Sequence, residues 1–297
     1  MPQSRAPLSA IGLVIVGLVF QEVGASIAVL VFPSVGPAGM VALRLFFSAA
    51  ILLAVARPKL RGIPARSWRV LVLFGISLGV MNLLFYEALS RIHLGAAVTF
   101  EVLGPLVLSV IVAKRAAAWL WAALAAGGVL LLGQGGFNDL NVEGVLFALA
   151  AGACWAGYIL ASRKTGEHFT GLDGLAIAMT IGAIITLPLG IAQAGTALLQ
   201  PQILLLGAAV ALLSSAIPYA LELIALRRVK AETFSVLMAS SPAIATAAGF
   251  LILGQQIGWL QAAGIALVIA ASVGAVRMAP RRRPPGAESP DQLAPPV

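Results

Sequence analysis

The sequence predicts an all-α integral membrane protein with ten transmembrane helices, built as two inverted five-helix repeats. Composition, the spacing of apolar runs and the placement of positive charge predict it. Of the 297 residues, 60% are hydrophobic and 10% charged, with a mean hydropathy of +1.01. Soluble domains run about 45–50% apolar and about 25% charged, so no soluble domain fits in this chain. A bilayer core takes roughly 20 mostly apolar residues per helix, and polar breaks divide the chain into ten such runs.

The spans fall near residues 9–32, 37–56, 68–89, 94–113, 117–133, 142–162, 172–191, 202–225, 232–253 and 257–276. Arg5 ahead of an apolar run imitates a signal peptide, but the run is too long for a usual signal core and no polar mature domain follows. The fifth span is short and ends in Gly133-Gln134-Gly135-Gly136. Cys154, the single cysteine, falls mid-membrane in the sixth span, so no intrachain disulfide exists and it reads as a small packing residue. Residues 280–297 form a Pro-rich basic tail, read as disordered and cytoplasmic.

A net charge of +8 would suggest nucleic acid for a soluble chain, but the basic residues obey the positive-inside rule instead. With a cytoplasmic N-terminus, the inner side receives Arg5, then Arg57, Lys59, Arg61, Arg66 and Arg69, then Lys114 and Arg115. It also receives Arg163 and Lys164, then Arg227, Arg228 and Lys230, and last Arg277 with Arg281, Arg282 and Arg283. The outer loops receive only Arg91, and Arg44 stays within the second span. Both termini are therefore placed in the cytoplasm, with anionic lipid headgroups as the counter-charge for the terminal arginine run. Arg57 to Arg69 reads either as a solvated loop or as a regulatory segment.

Sliding the chain on itself by about 137 residues places Ser77 on Ser214, Ala88-Leu89 on Ala225-Leu226, Arg91 on Arg228 and Pro105 on Pro242. Slightly out of that register, Trp119-Leu120 opens the fifth span as Trp259-Leu260 opens the tenth. Read as a repeat rather than as chance in an Ala/Leu-rich chain, these matches divide the chain into 1–136 and 137–279. Five helices per unit is an odd number, so the units insert upside down relative to each other, the architecture of secondary transporters with a midplane site. Gly127, Gly128, Gly182 and Gly264 permit close helix contact, leaving open whether the partners lie within the chain or in a homodimer.

Several stretches carry a family resemblance: Val41-Ala42-Leu43-Arg44-Leu45, Gly79-Val80-Met81-Asn82-Leu83-Leu84-Phe85-Tyr86 and Glu101-Val102-Leu103-Gly104-Pro105. To these are added residues 152–160 (GACWAGYIL) and 217–226 (IPYALELIAL). The chain resembles the drug/metabolite transporter superfamily, EamA branch, and within it the threonine/homoserine exporters, over residues 9 to 277. The resemblance implies a ten-helix exporter with a central cavity, driven by proton exchange. It also implies an acidic residue just before the proline of the ninth span, where this chain has Ser241.

Buried ionisable groups are costly in hydrocarbon and mark a pathway. Glu101 and Pro105 share a helix face, and Pro105 frees the carbonyl of Glu101; both are expected to line a cavity and meet an ammonium group, the alternative being a packing kink. Ser214, Pro218 and Glu222 repeat the arrangement in the eighth span with Tyr219 alongside, although an ion pair with Arg227 or Arg228 also explains Glu222. Pro242 marks a third helix kink. Glu87 precedes Arg91 by one turn, and an ion pair accounts for it. Glu22 and Arg44 sit at comparable depth; the guanidinium needs a partner, Glu22 or Glu101, and is suited to a substrate carboxylate. Asn82 and Tyr86 share a face, as do Trp155 and Tyr158, with Trp155 offering its ring to a cation.

The proton-coupling candidates are Glu101, Glu22 and Glu222. The chain has no GxxxxGK[ST] phosphate loop, so ion or proton coupling replaces direct ATP use, with proton and cargo competing for a shared carboxylate. Small amino acids are the expected cargo, with aromatic amino acids, other metabolites or cationic drugs as alternatives on the same fold. HExxH and GxSxG are absent, and His93 and His168 fall in loops on opposite faces. An enzyme, a metal site and a cofactor are therefore not expected; a scaffold role would leave the glutamates unexplained.

Overall fold

The computed structural model describes residues 8–113, 116–133, 141–166, 169, 172–218, 221 and 237–278. Helices and turns are the only structure among them: α1 (Leu8–Ala56), α2 (Ala65–Leu89), α3 (Leu94–Ala113), α4 (Ala116–Gly133), α5 (Val142–Gly166) and α6 (Asp173–Ala194). A 3-10 turn (Gly195–Leu199) leads to α7 (Pro201–Ala211), which runs on into a π turn (Leu212–Ala216). Then come α8 (Ser241–Leu253) and α9 (Trp259–Met278). Ile11–Ala56, Ala65–Leu89, Leu94–Val112, Val142–Gly166 and Asp173–Leu199 are long and apolar enough to cross a bilayer. Trp119–Leu132, Pro201–Ala216, Ser241–Leu253 and Trp259–Gly274 are shorter apolar helices. Leu205 and Leu251 are among the outward-facing leucines, the apolar exterior that lipid favours.

At about 1.5 Å per residue, the apolar part of α1 is roughly twice the length that one crossing needs. Its backbone breaks at Gly36 (φ 69°, ψ 170°), between Pro33 and Pro37, in a conformation that glycine adopts without the Cβ penalty. Both arms then lie along α7: Gly24 packs on Leu213 and Ser214, and Leu43 packs on Gly207. The interruption falls between the first two expected spans.

A helix restarting after a break has backbone N–H groups with no helical partner. Gln193 of α6 answers them, its Oε1 accepting from Ala38 N at 2.7 Å and Gly39 N at 3.3 Å. Gln255 does the same for α3, accepting from Leu94 N at 3.0 Å. Gln193→Ala should cost about 1 kcal/mol, read as a lower thermal midpoint in detergent; an unchanged midpoint would mean that the break holds without this cap.

Helix α6 packs against α1 and α2, α5 against α2 and α3, and α8 against α1 and α3, while α4 and α9 pair beside α3. The closest crossings use glycine, as lipid-embedded helices favour. Gly128 meets Gly264 backbone to backbone, and Gly182 meets Gly75 and Gly79. Those partners are within the chain, whereas Gly127 faces open space.

Pro242 does not kink a continuous helix. It lies in the first turn of α8, after a turn at Ala239 and Ser240, a position where its missing N–H costs nothing. Pro105 does lie inside α3. The tail from Pro280, residues 134–140 and His168 lie outside the described residues.

Candidate functional site

Two ionisable side chains from the first half of the chain meet hydroxyls of the second, and a third stands near the pair. Glu22, on the first arm of α1, is 2% exposed, and Arg44, on the second arm, is 9% exposed. Glu101 on α3 lies within electrostatic reach of both. Hydroxyls come from Ser214 and Ser215 in the π turn after α7 and from Ser241 at the head of α8, each closed off from solvent.

The sequence leads one to expect an ion pair between Arg44 and Glu22 or Glu101, but the described residues hold no such pair. Among the described residues its donors go to neutral oxygens: Nη2 to the Ser214 carbonyl at 3.0 Å, Nη1 to the Tyr86 hydroxyl at 3.2 Å and Nε to Ser215 Oγ at 3.4 Å. The guanidinium also sits 5.4 Å from the Tyr86 ring centroid, within cation–π range. The physical reason lies in the π turn and the residues just after it. Ile217 N reaches back to Leu212 O across the π turn, and Pro218 has no N–H to give the Ser214 carbonyl in an α-helical bond. That carbonyl is left for Arg44. π turns of this kind concentrate at functional sites.

Glu22 Oε1 accepts from Ser241 Oγ at 2.9 Å. Ser241 thus belongs to the site, although its sequence signal was only that it stands where an acidic residue was expected. Ser215 had no sequence signal beyond its neighbour Ser214. Asn82 turns its amide back on its own helix, Nδ2 donating to Leu78 O at 2.9 Å. Tyr158 packs its ring on Phe74, 5.1 Å between centroids, and Trp155 lies half-buried against the core.

The Glu101 carbonyl does not face a cavity. Gly152 of α5 lies against it so closely that a Cβ built there would fall 2.5 Å from that oxygen. The oxygen freed by Pro105 is used in a helix crossing, where a glycine Cα–H is a weak donor. Only the Glu101 side chain is left out of this crossing. Glu87 forms the expected ion pair with Arg91, which also reaches Glu143 Oε2 at 3.4 Å and lies over the Phe147 ring. Tyr219 and Glu222, with Lys114, Arg115 and the cluster at 227–230, lie outside the described residues.

A zwitterion is complementary to a guanidinium held by neutral acceptors beside two carboxylates. Comparison with known proteins agrees with a transport role. The chain is 43% identical over 267 residues to the threonine/homoserine exporter RhtA of Salmonella typhimurium, covering 88% of each chain. It is 41% identical over 268 residues to the protein of that name from Escherichia coli K12, covering 88% of this chain and 89% of that one. The model of the EamA-like transporter family matches residues 142–277. This chain belongs to the EamA-like transporter family. A solved crystal structure shares the fold, with a TM-score of 0.57 at 20% identity over 93% of this chain and 99% of that one. Family membership makes the chain a transporter protein and not an enzyme.

Proposed function

We propose that this protein is a secondary active exporter of small amino acids of the threonine or homoserine kind, exchanging them for protons across a bacterial inner membrane. One observation carries the reading: Arg44, buried, donates only to neutral oxygens among the described residues while Glu22 and Glu101 stand within reach. A cargo carboxylate gains a charge-assisted bond by taking Arg44 from a carbonyl and two hydroxyls. Its ammonium then meets Glu101, the same carboxylate a proton would occupy, so cargo leaves as protons enter. Tyr86 shapes the site through Arg44, and Asn82, Trp155, Tyr158 and Tyr219 complete the proposed lining, with Glu222 as a further proton carrier. The names of the relatives support this cargo class.

The proposed architecture is ten spans in two inverted units, 1–136 and 137–279. Counting the arms of α1 separately supports ten, the reciprocal Gly128–Gly264 contact supports a paired arrangement, and the family match over 142–277 falls on the second unit. Arg57, Lys59, Arg61, Arg66 and Arg69 are exposed at one end of α2 and Arg91 stands at the other, which supports cytoplasmic termini and contact of the basic end with anionic lipid.

The test is efflux from proteoliposomes preloaded with labelled threonine, homoserine, phenylalanine or a quaternary ammonium dye, with and without an inward proton gradient. Threonine and homoserine should leave faster under the gradient. Gradient-driven loss of the dye alone would overturn the cargo assignment, and efflux indifferent to the gradient would overturn the coupling.

A further inference from the structure

Two carboxylates share the site but differ in how they are held. Glu22 accepts from Ser241 Oγ at 2.9 Å, with Ser241 itself 3% exposed, so a hydroxyl from the second half of the chain ties the first arm of α1 to the head of α8. Pro242 in the first turn of α8 presets the backbone φ beside that hydroxyl. Gln21 is tied nearby, its carbonyl accepting from Ser214 Oγ at 3.5 Å. Glu101, in contrast, receives no hydrogen bond at its carboxylate among the described residues.

We infer that Ser241 is a positioning residue for Glu22: its hydroxyl holds that carboxylate in the seam between α1 and α8 and leaves Glu101, of these two acids, to exchange proton for cargo. This rests on the exporter reading of the same site. A hydroxyl donated to a carboxylate makes a stronger bond than one between neutral groups, and a buried carboxylate that loses its donor is costly. Glu22 therefore keeps this bond while cargo comes and goes, and the different surroundings of the two acids give them different tasks.

The experiment uses the full chain. In proteoliposomes, Ser241→Ala should lower the maximal efflux rate about tenfold and leave the cargo KM within about twofold, because cargo meets Glu101 and Arg44. In detergent without cargo, Ser241→Ala should lower the thermal midpoint in the native background and leave it unchanged in a Glu22→Leu background, which lacks the acceptor. If Ser241→Ala cannot be purified, Ser241→Cys, with its weaker donor, carries the same comparison. An equal fall of the midpoint in both backgrounds, or an unaltered efflux rate, overturns the positioning role. Should the native protein move no amino acid, the exporter reading fails, while the midpoint comparison still decides whether Ser241 acts through Glu22.

Discussion

Glu101→Gln is expected to abolish the stimulation of efflux by an inward proton gradient while the protein still inserts and purifies as the native chain does. The side chain keeps its shape and loses its charge. Because the carboxylate has no hydrogen-bond partner among the described residues, the exchange breaks no hydrogen bond within them. What it removes, on the proposed mechanism, is the anion that meets the cargo ammonium. A hydrogen bond to a charged group contributes about 1.5–3 kcal/mol, so cargo KM should rise on the order of 10- to 100-fold. Gradient-free counterflow, measured at high cargo concentration, should persist. Glu87→Gln is the control, since Glu87 pairs with Arg91 at the rim and such pairs contribute little; its coupling should match the native protein. Native gradient dependence in Glu101→Gln would remove Glu101 from the mechanism.

The second large effect is structural and comes from Gly152→Leu. At this crossing α3 and α5 meet backbone to backbone: a side chain on Gly152 meets the Glu101 carbonyl, and one on Gly104 meets the Gly152 carbonyl. Neither neighbour is a flexible side chain that can swing aside, so the helices must separate. Overpacking costs typically about 1–3 kcal/mol where side chains can adjust, and a rigid backbone neighbour puts this substitution at the upper end or beyond. The expected result is a marked fall in thermal midpoint and loss of monodisperse protein, with Gly152→Ala intermediate. Gly127→Ala, on the neighbouring α4 with nothing within 4 Å, should be neutral or slightly stabilising, because Ala is the better helix former. Equal midpoints for Gly152→Ala and Gly127→Ala would show that the crossing tolerates a side chain. Because the displaced oxygen belongs to Glu101, Gly152→Ala should also impair coupling more than its loss of stability accounts for.

Span positions were legible in the sequence because hydrophobic thickness sets helix length, and the predicted runs 68–89, 94–113 and 117–133 overlie α2, α3 and α4. The Glu87–Arg91 pair was legible too, since one helical turn brings the two together whatever surrounds them. The site was legible only in its ingredients. Glu22, Arg44 and Glu101 announce themselves because ionisable groups in apolar runs are costly.

What the sequence determined by itself was the inventory: apolar runs of bilayer length, basic residues gathered between them, and charges in places that demand a use. Helical periodicity says which residues share a face, but not which face of which distant helix it meets. Only the tertiary structure decided that Arg44 bonds to the Ser214 carbonyl instead of a carboxylate, that Glu22 takes its donor from Ser241, and that the Glu101 carbonyl is closed against Gly152. Each of those pairings joins segments far apart in the chain, and each depends on a backbone irregularity or a glycine crossing that sets helix spacing to within an ångström or so. Hydrogen bonds fall off over that same distance, so the assembled helices, and not the residue pattern, choose the partners.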